Sequence, residues 1–223
     1  MEADDRLADL GLFAGLPAPE RKDLARRGLL RSFAPGERIA ERGRPVNALY
    51  AVVEGRVKLS RGAPDGREQT LSIFGPGDPF CLCGVFGEGV FLSDAVAMSA
   101  CRVFILSRQE FDRAAERHPV LLANLVSLLS QRLREVLELT ESLALREIPQ
   151  RVGTFLLHAP IKDDAVHLGM THRELAKLVG ATPETLSRVL RRLAEQGLLS
   201  IASGRIRILD AEGLRALVEG NPA

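Results

Sequence analysis

The chain has 223 residues, 46% of them hydrophobic and 26% charged, with a formal net charge of +1. That length suits one large or two small domains, each able to bury a core, and near-neutrality excludes a polycation that coats nucleic acid with its whole surface. Three cysteines, an acidic polar opening and no apolar run near the ~20 residues of a membrane span lead us to expect a reduced, cytoplasmic protein, with no membrane segment and no structural disulfide. The charge is uneven, however. Residues 146–209 carry ten Lys or Arg and six Asp or Glu, net +4, against −3 for the remainder. A basic C-terminal part on a slightly acidic body fits a nucleic-acid module joined to something else.

In chain order, residues 4–30 set Leu7, Leu10, Leu12, Phe13, Leu16, Leu24 and Leu29 among charges, with Pro17 and Pro19 between. The pattern predicts two short amphipathic helices with a proline break, lying over the domain that follows. From Arg31 to Ser107 the texture changes. Turn pairs such as Pro35-Gly36, Arg42-Gly43, Glu54-Gly55, Asp65-Gly66 and Gly77-Asp78 recur roughly every ten residues. Between them run short alternating segments, clearest in Arg56–Ser60 and Arg102–Leu106. Short strands at that spacing predict an antiparallel barrel or double-sheet roll, which encloses either packed side chains or one small ligand. All four histidines, His118, His158, His167 and His172, fall outside this roll. A metal-dependent cupin enzyme is therefore not expected, and no paired acid/base constellation or nucleophile motif points to any other enzyme.

A turn-helix over Arg108–Arg117 precedes the longest helical pattern, Pro119 to Leu145. One seam runs Leu122, Val126, Leu129, Leu133, Val136, Thr140 and Leu143, alternating four and three, which is coiled-coil spacing. Leu125, Leu128, Leu137 and Leu139 widen the stripe. Two readings stand: one face meets the same helix of a second subunit while another closes the roll, or the helix is simply buried in a core. Arg146–Pro149 reads as a hinge, Gln150–Ala159 as a helix, and Lys162-Asp163-Asp164 as a polar loop after Pro160. The domains so drawn are 1–118, a sensing roll; 119–145, a dimerisation helix; and 146–223, a DNA-binding domain.

The most informative stretch is Thr171–Leu193. Thr171 followed by Glu174 is a capping box, and Leu175, Ala176, Leu178 and Val179 give the first helix an apolar face. Gly180 suits a sharp exit with positive φ. Thr182 is a second N-cap with Pro183 at the first helical position, and Leu186, Val189, Leu190 and Leu193 form the buried stripe of the second helix. This is helix-turn-helix spacing. On the opposite face Glu184, Ser187 and Arg188 share one side. Arg can grip guanine O6 and N7 together, a carboxylate can accept from cytosine N4, and Ser can pair with either kind of edge. The plainer alternative, an intrahelical Glu–Arg pair worth ~0.3–0.5 kcal/mol, does not account for the two caps, the Gly turn and the further Arg residues. Thr171, His172, Thr182, Thr185 and Arg191 stand around this face as further DNA contacts. Residues 197–201 and 205–208 alternate around Ser203-Gly204 as the hairpin of a wing, with Arg205 at its tip in reach of a phosphate, and Asp210 caps a last helix to Val218.

Assembled, these parts resemble the CRP/FNR family of bacterial transcription regulators over nearly the whole length. The residues that carry the resemblance are Val53-Glu54-Gly55-Arg56-Val57, Gly75-Pro76-Gly77-Asp78, Ala95-Val96-Ala97-Met98 running into Val103, and Pro183–Arg188. The resemblance implies an α+β fold: an N-terminal antiparallel β-roll of the cyclic-nucleotide-binding, jelly-roll kind, a long dimerisation helix and a C-terminal winged helix-turn-helix. It also implies a homodimer on double-stranded DNA, a small effector, and RNA polymerase as a partner. Pro183–Arg188 looks like the reading helix of the FNR and DNR branches, which implies that Glu184, Ser187 and Arg188 read TTGA-type half-sites. The implied effector pocket comprises Gly77, Cys81, Leu82, Cys83, Phe86, Phe91, Leu133, Val136 and Leu137. Members that bind cAMP have a Glu near Leu82, an Arg–Ser pair where Phe91-Leu92-Ser93 stands, and a Thr–Ser pair at Val136-Leu137. Burying a phosphate without a cationic partner is strongly disfavoured, so cAMP is not expected. No cysteine precedes Cys81, which removes the N-terminal iron–sulfur cluster of FNR itself. Cys81-x-Cys83 is similar in position to the haem-binding segment of CooA, the family's CO sensor, and DNR-type regulators are linked to haem and nitric oxide. Haem, with Cys81 or Cys83 as metal ligand, is thus the leading specific cofactor; a thiol redox switch, or cysteines that are merely buried, are the alternatives.

Overall fold

The computed structural model describes residues 10–66, 68–162, 164–202 and 205–220. They form two compact units, Met1–Arg134 and Glu135–Ala223.

In the first unit a single 3-10 turn, Gly11–Phe13, precedes helix α1, Ala18–Arg27. The expected first helix is thus a 3-10 turn within the described residues; Leu7 lies outside them. Gly11, Gly15 (φ +78°) and Pro17 leave no room for an α-helical run. The tight turn instead buries Leu10, Leu12, Phe13 and Leu16 together. Eight strands follow: β1 (Leu29–Phe33), β2 (Arg38–Ala40), β3 (Ala48–Glu54), β4 (Val57–Gly62), β5 (Glu68–Phe74), β6 (Pro79–Phe80), β7 (Asp94–Ala97) and β8 (Cys101–Ser107). Helix α2, Leu82–Phe86, is set between β6 and β7. The strands pair as two antiparallel four-stranded sheets, β1-β8-β3-β6 and β2-β7-β4-β5. Between β3 and β4 the chain reverses at Gly55, where φ is +80° and a Cβ would come within 2.4 Å of the Ala100 carbonyl, so only glycine fits.

Val52, Val57, Ala95 and Val103 are fully buried in the roll's core. Aromatic rings occupy much of it: Tyr50 packs on Phe80 (5.5 Å between centroids) and Phe91 (5.7 Å), and Phe74 on Phe80 (5.8 Å). Helix α3, Arg108–Arg117, begins where Ser107 Oγ accepts from the Glu110 amide at 3.2 Å. Helix α4 then runs Val120–Leu145, the longest element. Within the first unit Arg132 of α4 ion-pairs with Asp78 at 3.0 Å and lies over the Phe74 ring at 4.6 Å.

The second unit holds the end of α4, α5 (Ile148–His158), α6 (His172–Leu178), α7 (Pro183–Glu195) and α8 (Ala211–Glu219) around a small core of Val152, Leu156, Leu175, Ala176, Leu186, Leu190, Leu193 and Leu214. Two boundaries differ from expectation. Helix α5 starts at Ile148, inside the expected hinge, because Glu147 and Gln150 make a reciprocal capping box and Pro149 is tolerated in a first turn. Of the expected polar loop, Asp163 lies outside the described residues; Lys162 ends a short strand, β9 (Ile161–Lys162), and Asp164, in the left-handed region at φ 59°, precedes another, β10 (Ala165–Val166). These join β11 (Leu199–Ala202) and β12 (Arg205–Ile208) in a sheet ordered β11-β12-β10-β9. The wing is therefore part of a four-stranded sheet. Strands of two residues are too short to show alternation in sequence.

Candidate nucleic-acid interface

The α6–α7 pair is built as the residue pattern requires. Thr171 Oγ1 accepts from the Glu174 amide at 3.2 Å and starts α6. Gly180, at φ +67°, turns the chain. Thr182 Oγ1 accepts from the Thr185 amide at 3.2 Å and starts α7, with Pro183 first in the helix. Leu186, Leu190 and Leu193 are buried and Val189 half-buried, so the opposite face of α7 is turned outward.

Glu184, Ser187, Arg188 and Arg191 are all exposed on that outer face. The side chains are also partly pre-arranged. The Thr182 and Thr185 hydroxyls share a hydrogen bond at 3.1 Å, and Arg188 Nη2 donates to the same Thr185 hydroxyl at 3.2 Å. Glu184 accepts from its own backbone amide and then from Thr182; with Arg173 and Arg188 nearby, these hold its carboxyl below the usual carboxylate range. It is an ionised acceptor at neutral pH. Thr171 and His172 are exposed at the start of α6, and Arg205 is exposed at the start of β12. Ser203 and Gly204, the expected wing tip, lie outside the described residues. Arg173, not among the expected contacts, is exposed on α6 and close enough to act on Glu184. Only the return of α6 towards the start of α7 brings the two together.

The residues expected to form an effector pocket are more dispersed. Leu82 and Phe91 are buried in the roll, and Cys81 packs against the same core. Phe86 is partly buried against that core too, edge-on to Phe111 (5.4 Å) and under the Arg108 guanidinium (4.1 Å). Gly77 turns at φ +94°. Cys83, Leu133, Val136 and Leu137 are exposed. Cys81 takes φ 61° at the start of α2. Burial, and then the neighbouring Cys83, push its thiol up to about 12, and burial also raises Cys101. Among the described residues no cluster of three His, Cys, Asp or Glu could hold a metal. His118 sits 3.5 Å from Glu20. The half-buried Cys81 and the exposed Cys83 are thiol donors, and a haem iron would take either as the thiolate formed on binding.

Residues 30–118 match a family described as a cyclic nucleotide-binding domain, and residues 150–217 match a Crp-like helix-turn-helix domain. The chain is similar to the cyclic AMP receptor protein of Thermus thermophilus, with 36% identity over 94% of this chain and 97% of that protein. It is a member of the CRP/FNR family. A second CRP/FNR relative, the nitrogen fixation regulation protein FixK of Bradyrhizobium diazoefficiens, is 29% identical over 92% of this chain and 88% of its own. Among solved structures, FixK2 from Bradyrhizobium japonicum matches with a TM-score of 0.75 and 26% identity, covering 85% of this chain and 96% of that one. The protein is accordingly a DNA-binding transcription regulator of the CRP/FNR type, with the fold that type implies.

In this CRP/FNR regulator the long helix leaves most of its coiled-coil seam uncovered. Leu122, Val126, Leu133, Val136 and Leu143 are exposed, Val126 by 62%; Leu129 is half-buried, and Thr140 is exposed and bonded back to the Val136 carbonyl at 2.8 Å. Of the helix, Leu121 and Leu125 are buried. No described helix is long and apolar enough to cross a membrane.

Proposed function

We propose that this regulator acts as a homodimer reading TTGA-type half-sites, with Glu184, Ser187 and Arg188 at base edges and Thr171, His172, Thr182, Thr185, Arg191 and Arg205 at the phosphate backbone. The observation that carries the reading is the outer face of α7: an ionised carboxylate, a hydroxyl and a guanidinium held by Thr185, all exposed within the first two turns. Recognition helices contact bases with their N-terminal residues, and a twofold pair places two such helices about one DNA turn, ~34 Å, apart. The exposed seam of α4 is the surface for that pairing, since a 26-residue helix with heptad-spaced apolar residues facing water calls for a partner helix. RNA polymerase is the natural protein partner of a regulator that occupies promoter DNA.

The effector is a small molecule other than a cyclic nucleotide. The buried aliphatic Leu82 and the Tyr50–Phe80–Phe91 contacts leave an apolar roll interior. Among the described residues Lys58 is the only buried cation of this unit; it pairs with Glu68 at 2.9 Å and alternates with core-facing Val57 on the other face of β4. Arg132, over the Phe74 ring, is already paired with Asp78 at 3.0 Å, so a phosphodiester in the roll would have no uncommitted cationic partner. The aromatic packing favours a second reading, a DNA-binding scaffold whose roll is filled and needs no ligand. Fluorescence anisotropy on a TTGA–TCAA palindrome against a scrambled duplex tests both levels. Tighter binding to the palindrome is expected, with an affinity that falls steeply with salt and is indifferent to cAMP. Equal affinity for both duplexes would refute the reading of bases, and a cAMP-dependent gain would refute the effector assignment. Haem remains the leading specific effector: reconstitution under anaerobic conditions should give a Soret band that shifts with nitric oxide or CO, and a featureless spectrum would refute it.

A further inference from the structure

The simplest arrangement for the outer face of α7 would be a direct ion pair. Glu184 and Arg188 stand four apart with the acid first, the favoured order on a helix. The structure shows something else. Among the described residues no ion pair joins these two side chains; Arg188 Nη2 donates instead to the Thr185 hydroxyl at 3.2 Å. Thr185 is the third residue of α7 and is half-buried. Its amide donates to Thr182 Oγ1 at 3.2 Å, and the two hydroxyls share a hydrogen bond at 3.1 Å. The Thr185 hydroxyl is therefore fixed by the helix cap before it meets the guanidinium. In an ordinary capping box this third position is Glu or Gln, reaching back to the cap. A threonine here makes the cap an anchor for a residue one turn further on.

An exposed arginine samples many rotamers, and ordering it on binding costs affinity. A guanidinium has five N–H donors, so one given to Thr185 leaves enough for a bidentate contact with guanine O6 and N7. Had Arg188 closed on Glu184, each would have to be released from the other before either could read a base. Glu184 is held separately: its own amide first, and then Thr182, keep its carboxyl low, with Arg173 and Arg188 contributing less. We propose that Thr185 is a positioning residue for base recognition, its hydroxyl holding Arg188 away from Glu184 so that both side chains reach DNA unpaired. This rests on the half-site reading above and gives Thr185 a task beyond a phosphate contact.

Thr185→Val removes the hydroxyl but keeps the shape and the capped amide, while Thr185→Ser keeps the hydroxyl. Anisotropy titrations compare both with wild type on the TTGA–TCAA duplex and on one whose guanine is replaced by adenine in a single half-site. The wild-type penalty for that replacement should shrink about two- to tenfold in Thr185→Val, the ordering cost of one long side chain, and persist in Thr185→Ser. A phosphate contact alone would weaken all duplexes equally. An undiminished guanine penalty in Thr185→Val therefore overturns the proposal, as does a Thr185→Ser variant that behaves like Thr185→Val. A wild type with no guanine penalty would sink the half-site reading itself, and the hold on Arg188 is then judged without DNA. In the free protein, carboxyl NMR should find Glu184 ionising at lower pH in Thr185→Val than in wild type, because Arg188 closes on it; Thr185→Ser should match wild type. An unchanged Glu184 titration in Thr185→Val would show that the hydroxyl holds nothing.

Discussion

Arg188→Ala is the sharpest probe of the reading face. Arg188 is exposed, its nearest tie is one hydrogen bond to the Thr185 hydroxyl, and the buried stripe of α7 lies on the other side. Removing it should leave the fold untouched, within the ~0.5 kcal/mol typical of surface changes. On DNA the loss is larger. A bidentate Arg–guanine contact discriminates by ~1–3 kcal/mol per half-site, and a homodimer loses it twice, ~2–6 kcal/mol on a palindrome. Even the lower bound raises Kd about thirtyfold. Anisotropy titrations at fixed salt would measure this on the TTGA–TCAA duplex and on one with the guanine of a single half-site replaced by adenine. Wild type should lose ~1–3 kcal/mol on the altered duplex and the mutant nearly nothing, because the interaction being removed is already gone. If both proteins respond equally to the base change, Arg188 does not read that guanine and the assignment of the face is wrong.

Thr182→Ala removes the N-cap of α7 and a donor to Glu184 at once; a loss of ~1 kcal/mol in urea denaturation is expected, with weaker DNA binding, and an unchanged midpoint would show the cap to be idle. Val126→Glu and Val136→Glu place charges in the exposed seam and should convert a dimer to monomers in sedimentation, without lowering the helix content of the chain; a wild type that sediments as a monomer removes the basis of the prediction. Cys81 titrates near 12 when folded against 9.0 when free. A raised acid keeps its proton longer in the folded state, so its contribution to stability is complete below pH 9 and drains away as pH climbs towards 12. Cys81→Ala should therefore lose less stability than wild type across that window, and parallel alkaline curves would count against the shift. At neutral pH a thiol reagent should label exposed Cys83 well ahead of Cys81 and Cys101.

The reading motif was legible residue by residue because every device in it is local. Thr171, Gly180, Thr182 and Pro183 act within one turn of where they stand, and the period of Leu186, Leu190 and Leu193 assigns the outer face by elimination. The small strands β9 and β10 were not legible. Their pairing, Ile161 with Val166 and Val166 with Ile206, joins residues whose own neighbours carry no periodic pattern. The first helical segment failed for a related reason: Leu10, Leu12, Phe13 and Leu16 are buried by a 3-10 turn against the roll, and burial there follows the surface they meet. Arg173 was passed over as an ordinary surface arginine. What distinguishes it, nearness to Glu184, exists only after α6 and α7 have packed.

Caps, turns, apolar periods and the run of charges along the chain are short-range quantities, and from them alone followed the winged helix-turn-helix, the long helix, the roll and the likeness to CRP/FNR regulators. Which side chains crowd the interior of the roll, and that Cys81 is a neutral thiol, could not follow from them. Desolvation and unmet hydrogen bonds depend on what surrounds an atom in space, and those surroundings are supplied by segments tens of residues away.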